Sequence, residues 1–221
     1  VTASALPLNE RVTLRGPAGD IEARIETPHG LERVTTFGVI CHPHPLFGGT
    51  LDNKVVYSLA RAFHDLGIAT IRFNFRGVGK SAGSFAHGLG ETEDALAVVA
   101  AGREKWPDAA LWLGGFSFGG AVAIRAAAQT NPGRLVTVAP AIKRVPLEGV
   151  TMPTCPWLIV QGDQDDLVSH TEVVEWASKL AHPPEVVVLP GVEHFFHGKL
   201  NELRDTVTAF AQLSRLEKIV S

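Results

Sequence analysis

The chain has 221 residues, 45% hydrophobic and 19% charged, enough to bury a large core and unlike the composition of a disordered chain. We expect one α/β domain spanning residues 1–221. The net charge is only −3, from 20 basic and 23 acidic residues with no basic block, which argues against nucleic acid or an anionic membrane as the main partner.

The two cysteines, Cys41 and Cys155, form no C-x-x-C pair, so neither a zinc site nor a redox motif is indicated. Val1–Glu10 lacks the basic region and long apolar run of a signal peptide. Arg125 interrupts the most apolar helical stretch too early for a membrane span. A cytoplasmic protein with two free thiols is the expectation.

Residues 10–15 and 21–27 alternate apolar with polar around Gly16-Pro17-Ala18-Gly19-Asp20, which predicts an amino-terminal antiparallel hairpin. Thr36–Cys41 reads as a short strand, broken by His42-Pro43-His44-Pro45-Leu46-Phe47-Gly48-Gly49. A helix follows over about 53–66, with Val55, Val56, Leu59, Ala60 and Phe63 on one face and Gly67 just past its end. Ala69–Phe75 reads as a strand leading into Arg76-Gly77-Val78-Gly79-Lys80-Ser81. That segment ends like a phosphate-binding loop, but the pattern needs glycine where Asn74 stands, so the phosphate reading fails.

Helices are expected at 91–105, 172–180 and 201–216, and strands at 134–139, 156–160 and 185–189. Apolar strands alternating with helices predict a mostly parallel, twisted sheet with helices on both faces. The connection from Ala139 to Pro156 has no room for a helical cap.

The most informative stretch is Leu111-Trp-Leu-Gly-Gly-Phe-Ser117-Phe-Gly-Gly-Ala-Val-Ala-Ile124. A buried strand (110–114) meets an alanine-rich helix (121–129) through a turn that Gly115 and Gly119 leave room for. This is G-x-S-x-G in strand–turn–helix context, a nucleophile elbow presenting Ser117. The N–H of Phe118 falls in the first helical turn, where donors are unpaired and the dipole favours an anion.

Here the sequence resembles the α/β-hydrolase superfamily, and in particular compact, lid-less bacterial serine hydrolases with a His-Pro-His-Pro loop. The likeness runs from about residue 10 to 216 and takes in Arg76–Ser81, which matches that family's R-G-x-G-x-S turn, a structural element. It implies the order serine, acid, histidine along the chain. Three carboxylates follow strand 156–160, and the family's G-x-x-D-x-x-V spacing from Gly162 to Val168 selects Asp165. Asp163 suits pinning the turn, and Asp166 suits solvent. The family's G-x-x-H spacing from Gly191 selects His194, leaving His197 to flank the last helix or wall the pocket.

The resemblance also implies that the loop after the first parallel strand completes an oxyanion hole with Phe118. His42-Pro43 stands where relatives have His-Gly, which points to the N–H of His44, with Leu46 as the alternative because the prolines remove donors at 43 and 45. His42 and His44 are too thin a basis for a metal, and nothing implies a cofactor. Leu46, Phe47, Phe118, Phe195 and Phe196 are candidates for an apolar acyl pocket, with ordinary core positions as the alternative for each.

The expected activity is hydrolysis of small carboxylic esters by Ser117, His194 and Asp165 through an acyl-enzyme. A thioesterase or a peptidase/amidase would use the same residues, and a non-catalytic hydrolase-like binding protein is the competing class. The expected partner is a small-molecule ester.

Overall fold

The computed structural model describes residues 9–220, with side chains in the last helix as far as Gln212. The segment up to Leu8, read above for a leader, lies outside the described residues. Strands β1 (Asn9–Gly16) and β2 (Gly19–Glu26) form the expected antiparallel hairpin. Then come β3 (Thr36–Cys41), helix α1 (Lys54–Asp65), β4 (Ala69–Phe73), α2 (Leu89–Lys105) and β5 (Ala110–Phe116). The second half holds α3 (Phe118–Thr130), β6 (Arg134–Val138), β7 (Trp157–Gly162), α4 (His170–Ser178), β8 (Glu185–Leu189) and α5 (Leu200–Val220).

These strands make one eight-stranded sheet in the order β1-β2-β4-β3-β5-β6-β7-β8. From β4 to β8 every pairing is parallel, and the hairpin joins through an antiparallel β2–β4 pairing. Successive side chains of a strand face opposite sides, and both sides are covered here. Val39 and Cys41 of β3 and Ile159 of β7 enter the core shared with α2, α3 and α4. Ile40, Leu158 and Val160 enter the core shared with α1 and α5. This explains why the middle strands read as unbroken apolar runs.

Several element ends differ from expectation for local reasons. Strand β4 stops at Phe73, where Asn74 turns its backbone N–H to the Glu22 carbonyl and its side chain to the Leu51 N–H. Helix α2 begins at Leu89 because the buried Glu91 carboxylate accepts the N–H groups of Ala86 and Gly88. Helix α4 starts two residues early, capped by Ser169. The connection 139–156 contains neither helix nor strand. Among the described residues no helix is long and apolar enough to cross a membrane.

One buried ion pair helps to place the loop after β3. Arg72 of β4 is wholly buried and donates from Nη2 and Nε to Glu26 Oε2, at 2.7 and 3.1 Å. Its Nη1 donates to the Leu51 carbonyl at 2.7 Å, while Asn74 Oδ1 accepts from the Leu51 N–H at 2.8 Å. Leu51 is thus stapled to the sheet just beyond the two glycines that end the His-Pro-His-Pro segment. Removing one partner of such a pair strands a buried charge, so Glu26→Ala should lower stability by about 3 kcal/mol in urea unfolding. Glu26→Gln, which keeps an acceptor, should lose less.

Candidate active site

The elbow at the end of β5 takes the form that the glycine spacing predicts. Ser117 has φ 54 and ψ −118, a conformation costing on the order of 1–3 kcal/mol for a residue with a side chain. Hydrogen bonds on both sides hold it there. Its N–H donates to the Val138 carbonyl at 2.9 Å, and its carbonyl accepts from Gly120, Ala121 and Ala141. A methyl group on Gly115 would collide with the Gly119 carbonyl, and one on Gly119 with the carbonyls of Cys41 and His42. The first turn of α3 therefore lies in backbone contact with the end of β3.

Three residues from separate loops meet at this turn. His194 Nε2 lies 3.1 Å from Ser117 Oγ, and its Nδ1 lies 2.7 Å from Asp165 Oδ2. A carboxylate only accepts, so the proton sits on Nδ1 and the Nε2 lone pair faces the serine hydroxyl. Asp165 Oδ1 accepts from the N–H groups of Leu167 and Val168, and Gln161 Nε2 donates to Oδ2. Burial pushes the Asp165 carboxyl up, but the bonds from His194 and these backbone donors outweigh it and hold the group below the ordinary carboxylate range. The His194 ring is almost wholly buried, packed between Phe116 and Phe195.

The competing carboxylates and histidine do other work. Asp163 Oδ1 accepts from the Gly191 N–H at 2.7 Å and ties the turn after β7 to the turn after β8. Asp166 is exposed. His197 is exposed and pairs with Glu193. Sequence reasoning missed Glu193, whose carboxylate accepts the N–H groups of Phe195 and His197 and so orders the loop that carries His194. It also missed Gln161, which bridges Asp165 and the Val168 carbonyl. A glutamine ending an otherwise apolar strand was the available signal.

The loop after β3 is rigid for reasons visible in its histidines. His42 is wholly buried; its Nδ1–H donates to the Pro43 carbonyl at 2.6 Å and its Nε2 accepts from the Phe75 N–H at 3.0 Å. Both ring nitrogens are spent within the protein. Across a planar trans peptide the carbonyl and N–H point opposite ways, so His42, by holding the Pro43 carbonyl, also sets the direction of the His44 N–H. The Leu46 N–H donates to His44 Nδ1 at 3.2 Å and is therefore committed, which removes it as the alternative oxyanion donor. Among the described residues, the N–H groups of His44 and Phe118 have no hydrogen-bond partner.

A cavity of about 370 Å³ opens beside Ser117 and His194. Phe47, Leu167 and Phe195 give it apolar walls, and Arg144 also lines it. Two pocket expectations need correction. Leu46 is 66% exposed and lies outside the lining. Phe196 has φ 57, which turns its ring inward to complete burial among residues of α1 and α5, while Phe195 stays at the cavity.

A solved lid-less α/β serine hydrolase from Xanthomonas campestris is similar to this chain, with 39% identity over 96% of this chain and 97% of that one, at a TM-score of 0.89. An α/β serine hydrolase homologue from Coxiella burnetii is 43% identical over 93% of this chain and 99% of its own, at a TM-score of 0.88. The chain belongs to the α/β serine hydrolases. The family model described as "Serine aminopeptidase, S33" matches residues 48–153. An uncharacterized protein of Rickettsia prowazekii is 29% identical over 213 residues, spanning 90% of this chain and 87% of that one. In this α/β serine hydrolase the short connection 139–156 is the place where a lid is absent.

Two predictions follow from the packing around the elbow. Gly119→Ala should destabilise the protein by about 2 kcal/mol or more in urea unfolding, because the colliding atoms are backbone and cannot rotate away. Desolvation lowers the His42 pKa from 6.5 in the unfolded chain to about 4. The unfolded state then binds the extra proton first, so this contribution is complete above pH 6.5 and is lost as the pH falls through about 4. It is worth about 3 kcal/mol, and urea midpoints from pH 7.5 to 4 should fall less steeply in His42→Gln than in wild type.

Proposed function

We propose that this α/β serine hydrolase cleaves carboxylic esters of small substrates, with Ser117 as nucleophile, His194 as base and Asp165 as the group that orients the base. The observation that carries the reading is the continuous Ser117–His194–Asp165 hydrogen-bond chain, 3.1 and 2.7 Å long, at a strained elbow beside a cavity. In this mechanism Ser117 Oγ attacks the ester carbonyl as its proton passes to His194 Nε2. Asp165 stabilises the imidazolium, and the N–H groups of Phe118 and His44 bind the oxyanion. His194 returns the proton to the departing alkoxide, which leaves as the alcohol. Water, deprotonated by His194, then attacks the acyl-enzyme and releases the acid and Ser117. Preorganised oxyanion donors are worth about 3 kcal/mol each in such a step.

The matched family description favours amide or peptide cleavage as the second reading. Against it, among the described residues no carboxylate lines the cavity to receive the ammonium group of a peptide amino terminus. Both cysteines are free, in keeping with the cytoplasmic setting this reading assumes.

The test is fluorophosphonate labelling located by peptide mass, followed by rates on matched esters, thioesters and amides. Wild type should label at Ser117 and turn over the ester fastest; Ser117→Ala should do neither while keeping its fold. Asp165→Asn should cost on the order of ten-thousandfold in kcat, because the wrong imidazole tautomer is then favoured. A larger loss from Asp163→Asn would move the acid to that residue. Folded wild type that takes no label would favour the binding-protein alternative, and amide turnover above ester turnover would favour the second reading.

A further inference from the structure

The cavity beside Ser117 carries a charge that the mechanism does not use. Among the described residues Arg144 is the single arginine or lysine in its lining, and no aspartate or glutamate occurs there. Its side chain has no ion pair or hydrogen bond among the described residues, whereas the adjacent Lys143 is paired with Glu172 at 2.6 Å. The nearby Glu91 carboxylate is spent on the N–H groups of Ala86 and Gly88. Arg144 is also anchored to the elbow. Its N–H donates to the Ala141 carbonyl at 2.9 Å, and the Ala141 N–H donates to the Ser117 carbonyl at 3.0 Å. Two backbone hydrogen bonds thus link the position of the cation to that of the nucleophile. After burial, the Arg144 charge is the next cause holding the His44 imidazole below its usual pKa, so the guanidinium acts on the loop across the cavity.

A guanidinium unpaired among the described residues, at a cavity walled on its apolar side by Phe47, Leu167 and Phe195, matches a substrate with an apolar body that ends in a planar anion. We propose that Arg144 is a specificity-determining residue that binds a carboxylate on the substrate, so that the preferred ester carries a free carboxylate several bonds from the scissile carbonyl. This rests on the ester-hydrolase reading above. Arg144 takes no part in bond making or breaking.

The experiment compares kcat/KM for two 4-nitrophenyl esters: the monoester of adipate, with its free carboxylate, and the same ester with that carboxylate methylated. Wild type should prefer the charged ester by about tenfold, the scale of one charge-assisted hydrogen bond, and rising KCl should shrink the preference. Arg144→Gln should bring the ratio to about one, and Arg144→Lys should keep part of it. Equal rates for the two esters in wild type, or a preference that survives in Arg144→Gln, would overturn the assignment. Labelling by an uncharged fluorophosphonate separates the two levels of failure. A labelled Ser117 with no charge preference sinks the role of Arg144 alone, whereas an unlabelled Ser117 with neither ester cleaved sinks the underlying reading and this one with it.

Discussion

The constraint on which the site depends is the contact between the first turn of α3 and the carbonyl groups that end β3. Gly119 has no room for a methyl group against Cys41 and His42, and Gly115 has none against Gly119. That closeness forces the unusual backbone of Ser117, and it also sets on neighbouring segments the N–H groups of Phe118 and His44, which have no partner among the described residues. The energetic cost of the elbow is met by the hydrogen bonds at Ser117 and by the apolar packing of α3, whose residues from Phe118 to Ala127 are mostly buried. Strain at one residue thus follows from good packing around it.

Electrostatics then sort the surrounding polar groups. Asp165 stays charged despite burial because backbone N–H groups and His194 all donate to it. His42 stays neutral for the opposite reason, with burial dominating and its two nitrogens taken by one acceptor and one donor. Similar burial therefore yields a carboxylate in one place and an uncharged imidazole in the other, decided by what each side chain meets.

The fold could be read from the chain because each of its signals is local. Alternation marked the hairpin, unbroken apolar runs marked the parallel strands, and the spacing of Gly115, Ser117 and Gly119 marked the elbow. Of the two residues chosen on family spacing, His194 lies against Ser117 and Asp165 against the far side of His194. The oxyanion loop was harder, because whether the Leu46 N–H is available depends on the rotamer of the His44 side chain. Phe195 and Phe196 show the same limit: adjacent, identical residues take opposite sides because one positive φ, not encoded by residue type, turns the chain between them. Glu193 and Gln161 escaped notice because their work is to hold loops, which only the assembled turns disclose.

The connection between β6 and β7 bears on what would happen to the acyl group that the proposed mechanism puts on Ser117. That connection holds neither helix nor strand and reaches the cavity through Arg144, while exposed Phe47 and Phe195 border the same opening. Solvent reaches the cavity along that exposed border, so an acyl-enzyme of the proposed mechanism would meet water there, and any other acceptor would have to outcompete it. On the proposed mechanism the acyl group would then end as free acid, with little of it passed on to a new owner.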